Sequence, residues 1–197
     1  MRRLISEEYR LSMDHGIAYL EDLKHALAAL DIEAVKKVRS LLAEARDRGN
    51  RIFLCGNGGS ASTASHMAND LGKGASLGRE APFKVIALTD NVSWITALAN
   101  DLSYDDIFVE QLKNFAAPGD VLIAISGSGQ SANVLKAVEL ANERGLSTVG
   151  WTGFGGGRLA EMVDIAIIVD SSHMGRVEDV HVVLMHLVCY YFMEKDE

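Results

Sequence analysis

From residue 51 onward, short apolar runs rich in β-branched residues alternate with segments of helical spacing, and this alternation constrains the fold more than any other feature. "RIFLCG" at 51–56 precedes a helix expected from about Ser60, "FKVIALT" at 83–89 precedes one near Ser93, and "DVLIAIS" at 120–126 precedes one from Ser131. "STVGWTG" and "IAIIV" follow, and a last long helix is expected from about Arg176. Strands that are apolar throughout are buried on both faces, which requires a mainly parallel sheet with helices above and below. Ahead of the strands, between Ser6 and Arg48, apolar residues recur at helical spacing (Tyr9, Met13, Ile17, Leu20, Leu23, Leu27, Leu30, then Val35, Val38, Leu41, Leu42). The start signal Asp31-Ile32-Glu33 divides them into two helices. The expected architecture is one domain over 1–197, a three-layer α/β/α sandwich with an N-terminal helical hairpin at 1–49 and the α/β core at 50–197. A chain of 197 residues can bury a core of this size without disulfides or structural metal.

Composition narrows the partners. A net charge of −8 argues against nucleic acid, and any anion must be held by local amides, hydroxyls and helix ends against the overall field. Cys55 and Cys189 lie apart inside apolar runs, as expected of buried thiols in a reducing cytoplasm. The N-terminal stretch carries acidic residues where a signal peptide needs an unbroken apolar segment, and no apolar run is as long as a membrane span. A cytoplasmic protein without membrane association is expected.

In open parallel sheets, ligands bind beyond the carboxyl ends of the strands, here the loops after Cys55, Leu88, Ile125 and Trp151. The first is the glycine-rich turn "CGNGGSASTASHMANDL". Gly56, Gly58 and Ala61 match G-x-G-x-x-A, but the acidic residue that would hold a ribose is too far along at Asp90, and no Lys-Ser/Thr pair completes a P-loop. No nucleotide cofactor is expected. Asn57, Ser60 and Ser62 at a helix start suit a single phosphate or a sugar hydroxyl, while a plain βα turn capped by Ser60 accounts for the same residues. The second turn, "SGSGQS", places Ser126, Ser128 and Ser131 at the head of one helix. Capping needs one of them, so the set points to a phosphate held by hydroxyls and free amides.

His66 and Asp70 stand at i and i+4 on the helix that follows the first turn, so they share a face. The last helix offers Glu178, Asp179, His181 and His186, and spacing alone does not choose between the two histidines. Histidines and carboxylates so placed suit a divalent metal such as zinc, or general acid and base work, or a plain surface pair.

The four stretches "CGNGGSASTASHMANDL", "AND" at 99–101 followed by "YDDIF", "SGSGQSANV" and "RVEDVHVVLMH" together resemble the sugar isomerase (SIS) domain, and within it the phosphoheptose isomerases. The likeness runs over nearly the whole chain with the motifs in order. It implies a homotetramer, with sites near subunit interfaces, that converts sedoheptulose 7-phosphate to an aldoheptose phosphate. It further implies that Ser126, Gly127, Ser128 and Ser131 hold the phosphate and that Asn57, Gly58, Ser60, Asp101 and Glu178 contact the substrate. His66, Asp70, Glu178 and His186 would be the zinc positions, with Asp70 as base and His186 as acid. The family commonly carries glutamate at position 70 and glutamine at position 178, so this chain keeps two histidines and two carboxylates there. Some members of the family bind a phosphosugar or a partner protein without turnover. Retention of polar, ligand-type side chains at all four positions favours an enzyme.

Overall fold

The computed structural model describes residues 7–194, with side chains from residue 14 onward, so Ser6 and the side chains of Tyr9 and Met13 lie outside the described set. Two helices come first, α1 (Glu7–Ala28) and α2 (Ile32–Asp47), joined by a short turn. The Asp31 side chain accepts from the Ala34 N–H at 3.0 Å and so starts α2 where the sequence signal stands. The core follows as β1 (Arg51–Gly56), α3 (Gly59–Asn69), β2 (Lys84–Ala87), α4 (Val92–Asp101), α5 (Val109–Phe115), β3 (Val121–Ile125) and α6 (Ala132–Glu143). It closes with β4 (Ser147–Thr152), α7 (Gly157–Met162), β5 (Ile165–Ile168) and α8 (Met174–Glu194).

All strand pairs are parallel and the sheet order is β2-β1-β3-β4-β5. Alternate residues of each strand face opposite layers. Ile52, Leu54, Val121, Ile123, Val149 and Trp151 pack under α2, α3 and α8, whereas Phe53, Cys55, Leu122 and Ala124 pack under α5, α6 and α7. The chain steps from β1 to β2 in one direction and from β2 through β3 to β5 in the other. Right-handed crossovers therefore place α3 on one face and α4 to α7 on the other. Both N-terminal helices rest on α8, and α2 also covers the sheet at β1 and β5.

The order reverses between β1 and β3, which lie side by side with Cys55 opposite Ala124 and Gly56 opposite Ile125. Their loops diverge onto opposite faces and open a crevice between them, the place where such sheets bind ligands. Two segments depart from the sequence reading. "GFGGGR", expected as a loose loop, enters the short helix α7, and "GKGASLGREAP" begins in a π-helical turn, Asp70–Gly74, that continues α3.

Candidate active site

The crevice is a cavity of about 240 Å³ lined by the β1 loop, the β3 loop and the first turn of α8. The β1 loop supplies Asn57, Gly58, Gly59 and Ser60, and the β3 loop supplies Ser126, Gly127, Ser128 and Ser131. The first turn of α8 brings Met174 and Glu178. Three helix N-termini, those of α3, α6 and α8, thus meet at one space, and their unpaired N–H groups make it a favourable place for an anion.

Glycine permits this convergence. A Cβ at Gly56 would meet Ser60 Cβ at 2.8 Å and the Ile125 carbonyl oxygen at 2.9 Å, so the two loops touch only with hydrogen there. A Cβ at Gly127 would meet Met174 Sδ at 2.5 Å, and one at Gly59 would meet the Glu178 carboxylate at 2.7 Å. The Glu178 carboxylate accordingly lies over the start of α3.

Of the three serines, Ser126 is buried, and its Oγ lies 3.1 Å from Ser131 Oγ, so the two hydroxyls are adjacent. The Ser128 hydroxyl accepts from the Gln130 N–H at 3.2 Å and holds the turn. Ser131 stands at the N-cap of α6 without a side-chain cap, and the N-cap of α3 is Gly58 rather than the expected Ser60. Asn57 is fixed by a pair of amide hydrogen bonds with Asn133, at 2.9 and 2.8 Å, and accepts a third from the Tyr104 hydroxyl at 3.0 Å. Asn133 and Tyr104 lie within the stretches "SGSGQSANV" and "YDDIF" but were not singled out as site residues from the sequence. The usable signal for Asn133 was a polar residue on a helix face that the apolar spacing of Val134, Leu135 and Val138 marks as inward.

Further along α3 and α8, His66, Asp70 and His186 gather so that one ligand atom from each lies within 4.8 Å of the others. His66 Nε2 is 3.5 Å from Asp70 Oδ2, and Asn69 Nδ2 donates to Asp70 Oδ1 at 3.1 Å. The His186 ring stands edge-on to His66 at 5.1 Å and to Tyr190 at 5.6 Å. Two imidazoles and one carboxylate, the carboxylate held by a neighbouring amide, fit a divalent ion that keeps an open position. Glu178 stands outside this group, at the cavity. His181, which spacing left level with His186, points inward: it is buried, with Nε2 3.4 Å from the Thr152 carbonyl oxygen, and burial lowers its pKa to about 4. Asp101 is exposed at the end of α4, accepts from Asn100 Nδ2 at 2.9 Å, and is not among the residues lining the cavity.

A parallel sheet with its order reversed at β1/β3 and a serine-lined crevice there define an α/β protein with an anion-suited site at the switch point. A model of the SIS domain matches residues 17–153, and the chain belongs to that family. Relatives include the phosphoheptose isomerase of Rhodospirillum rubrum, 43% identical over 156 residues, which are 79% of this chain and 82% of that protein. Among solved structures, a phosphoheptose isomerase from Neisseria gonorrhoeae superposes with a TM-score of 0.85 at 30% identity, covering 96% of this chain and all of that one (100%). One from Francisella tularensis superposes with a TM-score of 0.87 at 30% identity, covering 93% of this chain and 99% of that one.

Proposed function

We propose that the protein is an aldose-ketose isomerase that converts sedoheptulose 7-phosphate to D-glycero-D-manno-heptose 7-phosphate. The observation that carries this reading is that α3 and α8, whose first turns line the serine-rich anion cradle, bear the His/Asp/His group further along the same two helices. His66 is six residues beyond Ser60 and His186 eight beyond Glu178, roughly 9 to 12 Å along the helix axes. An extended seven-carbon chain with its phosphate ester oxygen, seven bonds at about 1.2 Å of reach each, spans a comparable distance of roughly 8 Å.

Ser126, Gly127, Ser128 and Ser131 hold the phosphate through hydroxyls and loop amides, while Asn57, Gly58, Ser60 and Glu178 fix the sugar chain. With the phosphate anchored, the carbonyl end extends toward Asp70 and His186. Asp70 takes the proton from C1 of the ketose as His186 protonates the C2 oxygen, giving the enediol. Asp70 then returns a proton to C2 while His186 accepts the one on the C1 oxygen, leaving the aldose. His66, Asp70 and His186 would hold zinc, while Glu178 stands apart at the cavity. A bound zinc ion polarises a carbonyl and stabilises negative charge on its oxygen.

The protein acts as a homotetramer, and Asp101, outside its own cavity, is assigned to the site of a neighbouring subunit. Among the described residues no helix is long and apolar enough to cross a membrane. Its compartment is the cytoplasm, where the buried free thiols of Cys55 and Cys189 stay reduced.

The test is turnover of sedoheptulose 7-phosphate, read by NMR of the sugar, on chelated and on zinc-loaded protein. Wild-type protein is expected to turn over, and Asp70→Ala and His186→Ala each to lose at least about 100-fold in kcat. Unchanged turnover in either variant removes that residue's role. Tight binding of the sugar without isomerisation in both metal states would make the protein a phosphosugar sensor instead.

A further inference from the structure

The orientation of Asn57 is set by a chain of hydrogen bonds that begins outside the cavity. The Val134 N–H, which in the first turn of α6 has no carbonyl partner within the helix, donates to Asn133 Oδ1 at 2.9 Å. A backbone N–H can only donate, so this contact fixes which end of the Asn133 amide is oxygen. Asn133 Nδ2 must then face Asn57 Oδ1, which it does at 2.8 Å, and Asn57 Nδ2 donates back to Asn133 Oδ1 at 2.9 Å. The Tyr104 hydroxyl, 3.0 Å from Asn57 Oδ1, supplies a second proton to the same oxygen. Both lone pairs of the Asn57 carbonyl are occupied and one of its two N–H groups is used. Among the described residues the other N–H has no protein partner, and Asn57 lines the cavity.

From this we infer that Asn133 and Tyr104 are positioning residues that make Asn57 an obligate hydrogen-bond donor to an oxygen of the substrate. The inference rests on the phosphosugar reading of the cavity. Asn133 is buried on α6 and Tyr104 is exposed in the 3-10 turn Tyr104–Asp106, so two elements from outside the β1 loop impose the polarity of one of its side chains. In Asn133→Asp, one carboxylate oxygen still accepts the Val134 N–H, but the other confronts Asn57 Oδ1. Turning the Asn57 amide over only brings its carbonyl oxygen against the other carboxylate oxygen, so the pair repels in both orientations and Asn57 is no longer held with its second N–H toward the cavity. Tyr104→Phe removes one of the two protons that hold the amide and acts in the same direction.

The test is a double-mutant cycle read in affinity for sedoheptulose 7-phosphate, by titration calorimetry on metal-free protein, and in KM and kcat on zinc-loaded protein. Asn133→Asp is expected to weaken binding and raise KM about tenfold, the loss of one hydrogen bond, with kcat within about threefold of wild type. In the Asn57→Ala background the same substitution is expected to change neither value by more than about twofold, because the side chain through which it acts is gone. An equal loss in both backgrounds, or none in the first, overturns the inference. If Asn133→Asp does not fold, Tyr104→Phe carries the same cycle, its site being exposed, with an expected effect of about threefold. Wild-type protein that binds the sugar without isomerising it refutes the isomerase reading and leaves the cycle readable in affinity. Absence of binding by wild-type protein refutes the phosphosugar reading and this inference with it.

Discussion

His181 and His186 lie five residues apart on α8 and have opposite fates. His186 meets His66 edge-on, whereas His181 is buried beneath Trp151, its ring 6.2 Å from the indole and its Nδ1 without a hydrogen-bond partner among the described residues. Burial lowers the His181 pKa from 6.5 to about 4, so the folded protein keeps it neutral. Between those two pH values the unfolded chain binds the proton and the folded chain does not. Stability therefore falls as pH drops from about 6.5 toward 4, by up to about 1.4 kcal/mol per unit. His181→Met is expected to flatten that part of the profile, as read from urea unfolding at pH 7 and pH 5; an unchanged slope would place the acid sensitivity elsewhere. Gly59 gives a second prediction at this scale. An added Cβ would push the Glu178 carboxylate off the start of α3 while favouring the helix itself. Gly59→Ala is expected to preserve thermal stability or raise it by up to about 1 kcal/mol and yet to raise KM about tenfold. Parallel losses of stability and affinity would mean that the backbone had moved rather than Glu178.

α7 and the serine loop form an interlocked pair. The Leu159 N–H donates to the Gly129 carbonyl oxygen at 3.0 Å, and a Cβ at Gly129, where φ is +65°, would lie 2.1 Å from the Gly156 carbonyl oxygen. Gly155, Gly156 and Gly157 all have positive φ, and Phe154 just before them shares that conformation at 51°. The loop after β4 thus folds back against the loop after β3 and buttresses the serine turn from behind. Gly129→Ala must strain its own backbone and displace α7, so a loss of about 2 kcal/mol or more is expected, with weaker binding of inorganic phosphate. Phe154 is half-exposed and buys little by packing, so Phe154→Gly is expected to be neutral or stabilising by up to about 1 kcal/mol. Differential scanning calorimetry of the two variants checks both signs. Little of this was legible beforehand: "GFGGGR" reads as a flexible loop because its glycines signal conformational freedom, and only the neighbouring loop shows that the freedom is spent on one tight fit.

At the scale of the whole molecule, the outer face of α8 is apolar where solvent reaches it. Val183, Leu187, Tyr190 and Tyr191 line a groove of about 450 Å³ with Arg39 and His186. His186 thus belongs both to this groove and to the His/Asp/His group, so a subunit contact at this groove would share a wall with the proposed site. Val183→Lys is expected to shift the protein toward smaller species in light scattering and to lower turnover, whereas an unchanged mass would locate the subunit contact on another face. The strands, their order of appearance and the loops that carry the site follow from the sequence, because unbroken apolar runs between helices leave few alternatives to a covered parallel sheet. The serine turns and the shared face of His66 and Asp70 were equally visible, since both depend on spacing within one element. Tertiary structure alone decided the rest. Which histidine of α8 meets His66, where Glu178 rests, and how Asn133 and Tyr104 orient Asn57 depend on contacts between residues as many as 120 positions apart, as from His66 to His186. Such contacts come from packing helices across a twisted sheet, and local periodicity carries no information about that packing.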